Sequence, residues 1–455
     1  MLVVNLQPLI ADLVSGWSSA KEDEIPEPEG RVAGRANHPI VGERFHLTLV
    51  AMKDQIGLIG DIRGQGHGVT GTNGFQLGAA KPTVGGIGFA KGHEFGDVAG
   101  MTNAPRVPLI HITDLYHPPQ DPDDQFDLAT ILALPELDLK MVLLDITRKF
   151  TVPSPAGGWD LARDPGVAIV AQANALRGTT IPVAIGPRDP LASTTDDLSD
   201  RPPAEQAAVK VLLSTLAESV EPVVVSIVGS TRIMAAAFLQ APDLVKQQVA
   251  SVWINVGSTA GAELEWNVML DPIAYQVLWQ SGLPIRWFPC ATENGAFDPE
   301  PARGTHWAAT HAELLASLPA RWRGWFAFGL SGSARGDFLR AMDELGSGPI
   351  WDNLQAARRS MWSTGSLAMI AGRCLAQTAA GWRFVNEAVA AKQGLQTWPW
   401  RLDSIAAQVE SDATLTWQET DAPTPHRLFG RKPGRDYGAA MAEALNALLV
   451  DQLSD

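Results

Sequence analysis

Five aspartates, Asp114, Asp121, Asp123, Asp124 and Asp127, fall within fourteen positions of TDLYHPPQDPDDQFDLATILAL, residues 113–134, with no lysine or arginine among them. Acids at a helix start favour the helix dipole by about 0.3–1 kcal/mol each and cap free N–H groups. Asp127, one turn into the helical pattern, has only that role to fill. One or two acids satisfy a helix end, so Asp114, Asp121, Asp123 and Asp124 exceed the need. Carboxylate oxygens without sulfur or imidazole select a hard divalent cation, and several acids with backbone carbonyls favour Ca²⁺. The competing reading is a solvated acidic loop.

The elements that must hold such a group are legible on either side of it. VPLIHI (107–112), LKMVLLDI (139–146), IPVAIG (181–186), VVVSIV (223–228), VASVWINV (249–256) and PIRWFPC (284–290) are apolar runs of strand length. Helical patterns separate them: FDLATILAL, PGVAIVAQANAL, PAEQAAVKVLLSTLAESV, RIMAAAFLQAPDLVKQQ and PIAYQVLWQSG. Short apolar strands alternating with helices predict an α/β fold with a mainly parallel, doubly wound open sheet covered on both faces. Ligands in such sheets bind beyond the carboxyl ends of the strands, which is where the aspartates stand. The tail from about residue 306 reads as mostly helical and holds many of the 15 tryptophans.

Residues 1–105 have a different character and are read as an N-terminal extension to an α/β domain over 106–455. The extension begins with an amphipathic helical pattern, continues through the acidic linker KEDEIPEPEG and is rich in glycine from Gly57 to Gly100. Its GHGVTG (66–71) matches GxGxxG, but no good helix follows, so a glycine-rich loop is the reading. The formal net charge of −15 argues against nucleic acid or an anionic membrane as partner. Two distant cysteines, Cys290 and Cys374, form neither a disulfide framework nor a thiolate metal spacing. With no spanning run, these features predict a cytoplasmic protein acting on a small molecule.

Three blocks together resemble the nucleoside hydrolase (inosine-uridine preferring) superfamily, and the TD…DPDDQ wording is closest to its nucleoside-hydrolase-like branch. They are the aspartate stretch, IVGSTRIMAAAFLQAPDLVKQQVASVWINVGS (227–258) and EWNVMLDPIAYQVLWQSGLPIRWFP (265–289). The resemblance covers about 106–300 well and the remainder weakly. It implies a Ca²⁺-dependent hydrolase of an N-glycosidic bond in a nucleoside or other glycoside, and a homo-oligomer. Asp124 would chelate the ion, and Thr231 would give it a backbone carbonyl. Asp114 would be metal ligand and general base, with Asp121 as a rival base because of the inserted YHPPQ. Asp123, Glu265 and Asn267 would hold the sugar hydroxyls. Apart from the resemblance, His117 stands in the inserted loop, where it could reach the site and protonate a leaving group.

The departures from the family are as specific. Its late-helix aspartate falls on Gly365 in STGSLAMIAG, so one carboxylate is missing unless Asp121, Glu293 or Asp298 substitutes. The Gly-Asn dipeptide after the second strand is missing, with Arg148 and Lys149 near that place, and Arg232 replaces an asparagine after Thr231. A further sugar-binding asparagine would fall near Thr259. These losses motivate the alternative of a non-catalytic subunit that kept the fold. A phosphohydrolase using an aspartyl nucleophile fits poorly, because Asp121 and Asp123 lie far from VPLIHI. His111 reads as a packed strand residue, and His306 and His311 read as surface histidines. Trp351, Trp362, Trp398 and Trp400 read chiefly as core or interface, with a stacking wall for a planar group as the second use.

Overall fold

Every second residue of VPLIHIT faces one side of a sheet, and in this chain both sides are apolar. Leu109 packs into one buried cluster, and Ile110 and Ile112 into another on the opposite face. A strand buried on both faces must be central, and strand β1 (Val107–Thr113) is paired in parallel with β2 (Leu137–Leu144) on one side and β4 (Val223–Ile227) on the other. The structure, a computed structural model, describes residues 105–117, 123–147, 164–260, 264–332 and 336–454. The extension up to residue 104, Asp121, Arg148 and Lys149 lie outside the described residues.

After β1 come α1 (Asp123–Ala133), β2, α2 (Pro165–Arg177), β3 (Val183–Ile185), α3 (Ala207–Glu218), β4, α4 (Arg232–Gln240), α5 (Pro242–Gln248) and β5 (Val249–Ile254). Then follow α6 (Trp266–Leu270), α7 (Pro272–Gln280) and β6 (Ile285–Trp287). RIMAAAFLQAPDLVKQQ reads as one helical pattern but forms two helices. Pro242 cannot extend the first, and Ala241 takes an extended φ of −144° between them.

Among the described residues the main sheet has nine strands, in the order β13 (Leu415–Glu419), β12 (Trp400–Val409), β14 (Arg427–Arg431), β6, β5, β4, β1, β2 and β3. From β1 the chain winds outward through β2 to β3, and from β4 outward the other way through β5 to β6. Connections therefore leave β1 and β4 on opposite sides, and the crevice between their carboxyl ends is the topological switch point of the sheet.

The tail departs from its helical expectation. It contains β7 (Trp307–Thr310), α8 (His311–Leu315), α9 (Ala320–Leu330), α10 (Phe338–Leu345), α11 (Pro349–Gln355), β8 (Arg358–Met361) and α12 (Thr364–Ile370). Beyond these, residues 373–431 are mostly strand: β9 (Arg373–Thr378), β10 (Gly381–Asn386), α13 (Glu387–Gln393), β11 (Gln396–Thr397), β12 (Trp400–Val409), β13 (Leu415–Glu419) and β14 (Arg427–Arg431). Helix α14 (Tyr437–Leu453) closes the chain. Strand β14 runs parallel to β6, whereas β12 is antiparallel to both β14 and β13. The reason the helical reading failed is visible in LDSIAAQVESDATLTWQ: short polar–apolar alternations of period two, interrupted by turns, belong to half-exposed strands. Among the described residues no helix is long and apolar enough to cross a membrane.

Arg232, at the start of α4, is fully buried and ties four segments together. Its Nε donates to Asp271 Oδ2 at 2.9 Å, Nη1 to the carbonyls of Ile146 (3.0 Å) and Pro187 (2.8 Å), and Nη2 to that of Leu270 (3.0 Å). Replacing Arg232 with alanine leaves Asp271 and Asp145 buried without their cation, at a cost of about 3–5 kcal/mol. Chemical denaturation should show that loss, and a stability unchanged within 1 kcal/mol would refute the hub.

His111 is fully buried in β1, as expected, and neither ring nitrogen has a hydrogen-bond partner among the described residues. Burial lowers its pKa to about 3. The unfolded chain, with a histidine pKa near 6.5, therefore takes the proton first. Stability from His111 is complete above about pH 6.5 and is lost at up to about 1.4 kcal/mol per pH unit as the pH falls toward 3. His111→Leu should flatten the acid limb of a melting-temperature profile; an unchanged limb would show that other groups set it.

Candidate functional site

The carboxyl ends of β1, β2 and β4 bring three segments into contact. Gly229, just past β4, has no side chain because none would fit. A Cβ there would stand 2.9 Å from Asp145 Oδ2 and 3.0 Å from Asp114 Cβ. Asp145 follows β2 as Asp114 follows β1, and its carboxylate accepts hydrogen bonds from the Ser230 amide (2.6 Å) and hydroxyl (2.9 Å). Arg232 Nη1 lies 3.8 Å from it. Burial raises the Asp145 pKa, and Arg232 and Ser230 act in the opposite direction.

Asp114 is 6% exposed. Its pKa is raised well above the carboxylate range, first by burial, then by the adjoining Asp124 carboxyl, which shares a hydrogen bond with it, and by Asp145 and Asp123. The principal charges acting on Asp114 are thus all of its own sign. Asp123 and Asp124 open α1, where the sequence places them, and Asp124 is buried. Asp127 corrects the capping expectation. It is fully buried inside the first turns of α1, against the fold and away from solvent, because α12 and α14 both pack on that helix.

Glu265 and Asn267 reach the same edge from the segment before α7. Asn267 Nδ2 donates to the Val228 carbonyl at 3.3 Å, one residue before Gly229, and to the Asn255 carbonyl at 3.3 Å. The Gly257 amide donates to Glu265 Oε2 at 2.7 Å, with φ of +91° at Gly257, and a Cβ there would meet the Tyr275 hydroxyl at 2.5 Å. Burial raises the Glu265 pKa against the pull of that amide and those of Asn267 and Val268. Cys290 lies within the electrostatic reach of several of these acids. Its buried thiol donates to the Asn255 carbonyl at 3.0 Å, and its pKa is pushed up by burial, then by Glu265, Asp123, Asp114 and Asp127.

His117 lies beside Asp114, its amide donating to the Asp114 carbonyl at 2.6 Å. Its ring is engaged elsewhere: Nε2 meets Asp164 Oδ2 at 2.5 Å, both residues buried. The turn that aims it is strained, since Tyr116 takes a left-handed φ of +73° though it is not glycine. Nδ1 of His117 has no partner among the described residues. Asp164 also caps α2 by accepting from the Gly166 amide at 2.8 Å.

Other expectations resolve differently. His306 and His311 are buried, not on the surface. His306 contacts the Asp298 carbonyl (3.2 Å) and the Ser360 hydroxyl (3.1 Å), and His311 the Leu354 carbonyl and Arg359 (both 2.8 Å). Asp298 is held in its own loop by Thr292 (3.1 Å), Asn294 (3.0 Å) and the Glu300 amide (3.0 Å), and Glu293 is exposed. At Gly365 a Cβ would first meet Trp400 and the Tyr437 hydroxyl at 3.9 Å. Asn255, which the sequence reading passed over, joins the rim instead: it donates to the Trp362 carbonyl (3.2 Å) and accepts from Ser366 (2.7 Å). Trp362 stands with Phe297 and His306 in a cluster of rings 5.3–5.7 Å apart, and Phe297 is 68% exposed. The signal for Asn255, Asp145 and Asp164 was available, because each follows an apolar strand or precedes a helix.

Carboxylate and hydroxyl oxygens are the donor types that a hard cation takes. Asp114 and Asp124 adjoin, and Thr231, whose buried hydroxyl has no partner among the described residues, opens α4 beside Gly229. Among the described residues no three His, Cys, Asp or Glu side chains form a metal-ligand group by themselves. As the side chains stand, Asp114 and Asp124 are the carboxylates that adjoin, with neutral oxygens beside them.

Gly229→Ala should push Asp114 and Asp145 apart at a cost of about 1–3 kcal/mol and weaken any cation response. A melt and a Ca²⁺ titration both matching the parent would show that the contact tolerates a methyl group.

No family model and no curated protein matches the chain. Among solved structures it is similar to the inosine-uridine preferring nucleoside hydrolase from Bacillus anthracis, at 14% identity over 76% of this chain and 99% of that one, with a TM-score of 0.43. It is similar to the purine-preferring ribonucleoside hydrolase from Gardnerella vaginalis, at 15% identity over 76% and 99%, with a TM-score of 0.41. It is also similar to the type III effector protein XopQ complexed with adenosine diphosphate ribose, at 14% identity over 77% and 94%, with a TM-score of 0.40. Values this low describe a distant likeness, and the reading of the site rests on its own geometry.

Proposed function

We propose that this chain is a Ca²⁺-dependent hydrolase of an N-glycosidic bond, acting on a nucleoside or related riboside. The observation that carries the reading is the convergence of Asp114, Asp123, Asp124, Glu265 and Asn267 on the switch-point crevice between β1 and β4. Three blocks that resemble one family in sequence meet there in space.

Asp114, Asp124 and the Thr231 carbonyl would hold the ion. When bound, Ca²⁺ supplies a positive centre that makes water a better nucleophile and orients vicinal sugar hydroxyls. Asp114, in a site where its carboxylate is costly to bury, is suited to accept a proton from water. Asp123, Glu265 and Asn267 would fix the sugar, with Glu265 held in place by the Gly257 amide. A cation-like sugar forming at this edge is stabilised by the surrounding carboxylates and amide oxygens. His117, oriented through Nε2 by Asp164, keeps Nδ1 available to pass a proton to a leaving group. Trp362 and the exposed Phe297 would flank a planar leaving group.

Gly365 favours the second reading, a non-catalytic subunit, because α12 brings serines to the site where an acid is expected. Incubation of the protein with Ca²⁺ and a panel of nucleosides separates the two. Release of free sugar, reduced about 10²–10⁴-fold in Asp114→Asn, supports the enzyme. No release from any nucleoside, together with a melting point indifferent to Ca²⁺ and EDTA, supports the subunit.

A further inference from the structure

We propose that Asp127 is a third carboxylate of the cation site, standing one helical turn behind Asp124 on α1. The proposal rests on the cation reading above. Positions i and i+3 of a helix share a face, so Asp124 and Asp127 belong to one row that ends beside Asp114. Asp127 is fully buried, and neither carboxylate oxygen has a hydrogen-bond partner among the described residues. The Ser363 hydroxyl at the start of α12 is near enough to favour its charge, without hydrogen-bond geometry to either oxygen. A buried carboxyl in that state is costly unless a positive charge faces it.

Its charge is also felt at the rim. Asp124 acts on Asp127, and Asp127 acts on the Cys290 thiol together with Glu265, Asp123 and Asp114. The other acids that could complete the site are spent or remote: Asp298 is tied into its own loop, and Glu293 is exposed. Asp114, Asp124 and Asp127 do not yet stand in a common ligand geometry. With no hydrogen bond fixing the Asp127 carboxyl, rotation about its side-chain bonds is the movement that would close it on an ion.

The test uses the full chain, Asp127→Asn and Asp127→Ala, each melted in EDTA and across a CaCl₂ series, with Ca²⁺ binding followed by calorimetry. The parent should melt higher in Ca²⁺. Asp127→Asn should melt no lower than the parent in EDTA, since an uncompensated buried acid is removed, yet need at least tenfold more Ca²⁺ for half its shift. A structural role gives the opposite pattern, a lower melting point in EDTA with Ca²⁺ affinity unchanged, and overturns the proposal. Failure of both variants to fold also overturns it. Parental Ca²⁺ affinity in Asp127→Asn removes this inference and leaves the cation reading standing, whereas a parent that ignores Ca²⁺ removes both.

Discussion

Burying carboxylates at the carboxyl edge of a parallel sheet is the constraint around which this molecule is arranged. Each buried acid needs a compensating partner, because an ionised carboxylate taken out of water is otherwise driven to neutrality. Most of the acids have one. Asp145 and Asp271 share Arg232, and Asp145 adds the Ser230 amide and hydroxyl. Asp164 meets His117 and a helix amide, and Asp298 is wrapped by its own loop. Asp114 instead has carboxylates as its principal charged neighbours, and Asp127 has no hydrogen bond among the described residues. The imbalance is local, and it falls at the switch point of the sheet.

Topology explains why that point can gather so much. Strands β1 and β4 are neighbours whose connections diverge, which leaves a crevice between their carboxyl ends. The crevice is then fixed by small backbone devices. Gly229 lets the chain after β4 lie against Asp114, and Gly257 turns with a positive φ to present its amide to Glu265. The left-handed Tyr116 aims His117 at Asp164. Together these devices bring Asp114 and Glu265, far apart in the chain, to one edge.

Much of this was legible because it is periodic or local. Six apolar runs became β1 to β6, and the aspartates fell at the end of β1 as the alternation implied. What stayed hidden depends on tertiary contact. Asp127 reads as a cap by position, and only the packing of α12 and α14 on α1 shows it to be internal. His306 and His311 read as surface residues because their neighbours in THWAATH are mixed; β8 and α11 supply the carbonyl, hydroxyl and guanidinium that bury them. The strands after residue 373 were missed since half-exposed antiparallel strands carry a weaker apolar signal than the central ones.

Arg232 bears most directly on the electrostatics of the crevice, because among the described residues it is the cation paired with the acids Asp145 and Asp271. It opens α4 next to Thr231, at the same edge as the aspartates after β1. Its side chain is nonetheless spent on the wall of the fold. Four of its hydrogen bonds go to Asp271 and to the carbonyls of Ile146, Pro187 and Leu270, and its approach to Asp145 is only 3.8 Å. A planar guanidinium with its donors so committed cannot also serve Asp114 without abandoning several buried acceptors. Arg232 is therefore committed to the wall behind the crevice, through Asp271 and three carbonyls, rather than to Asp114.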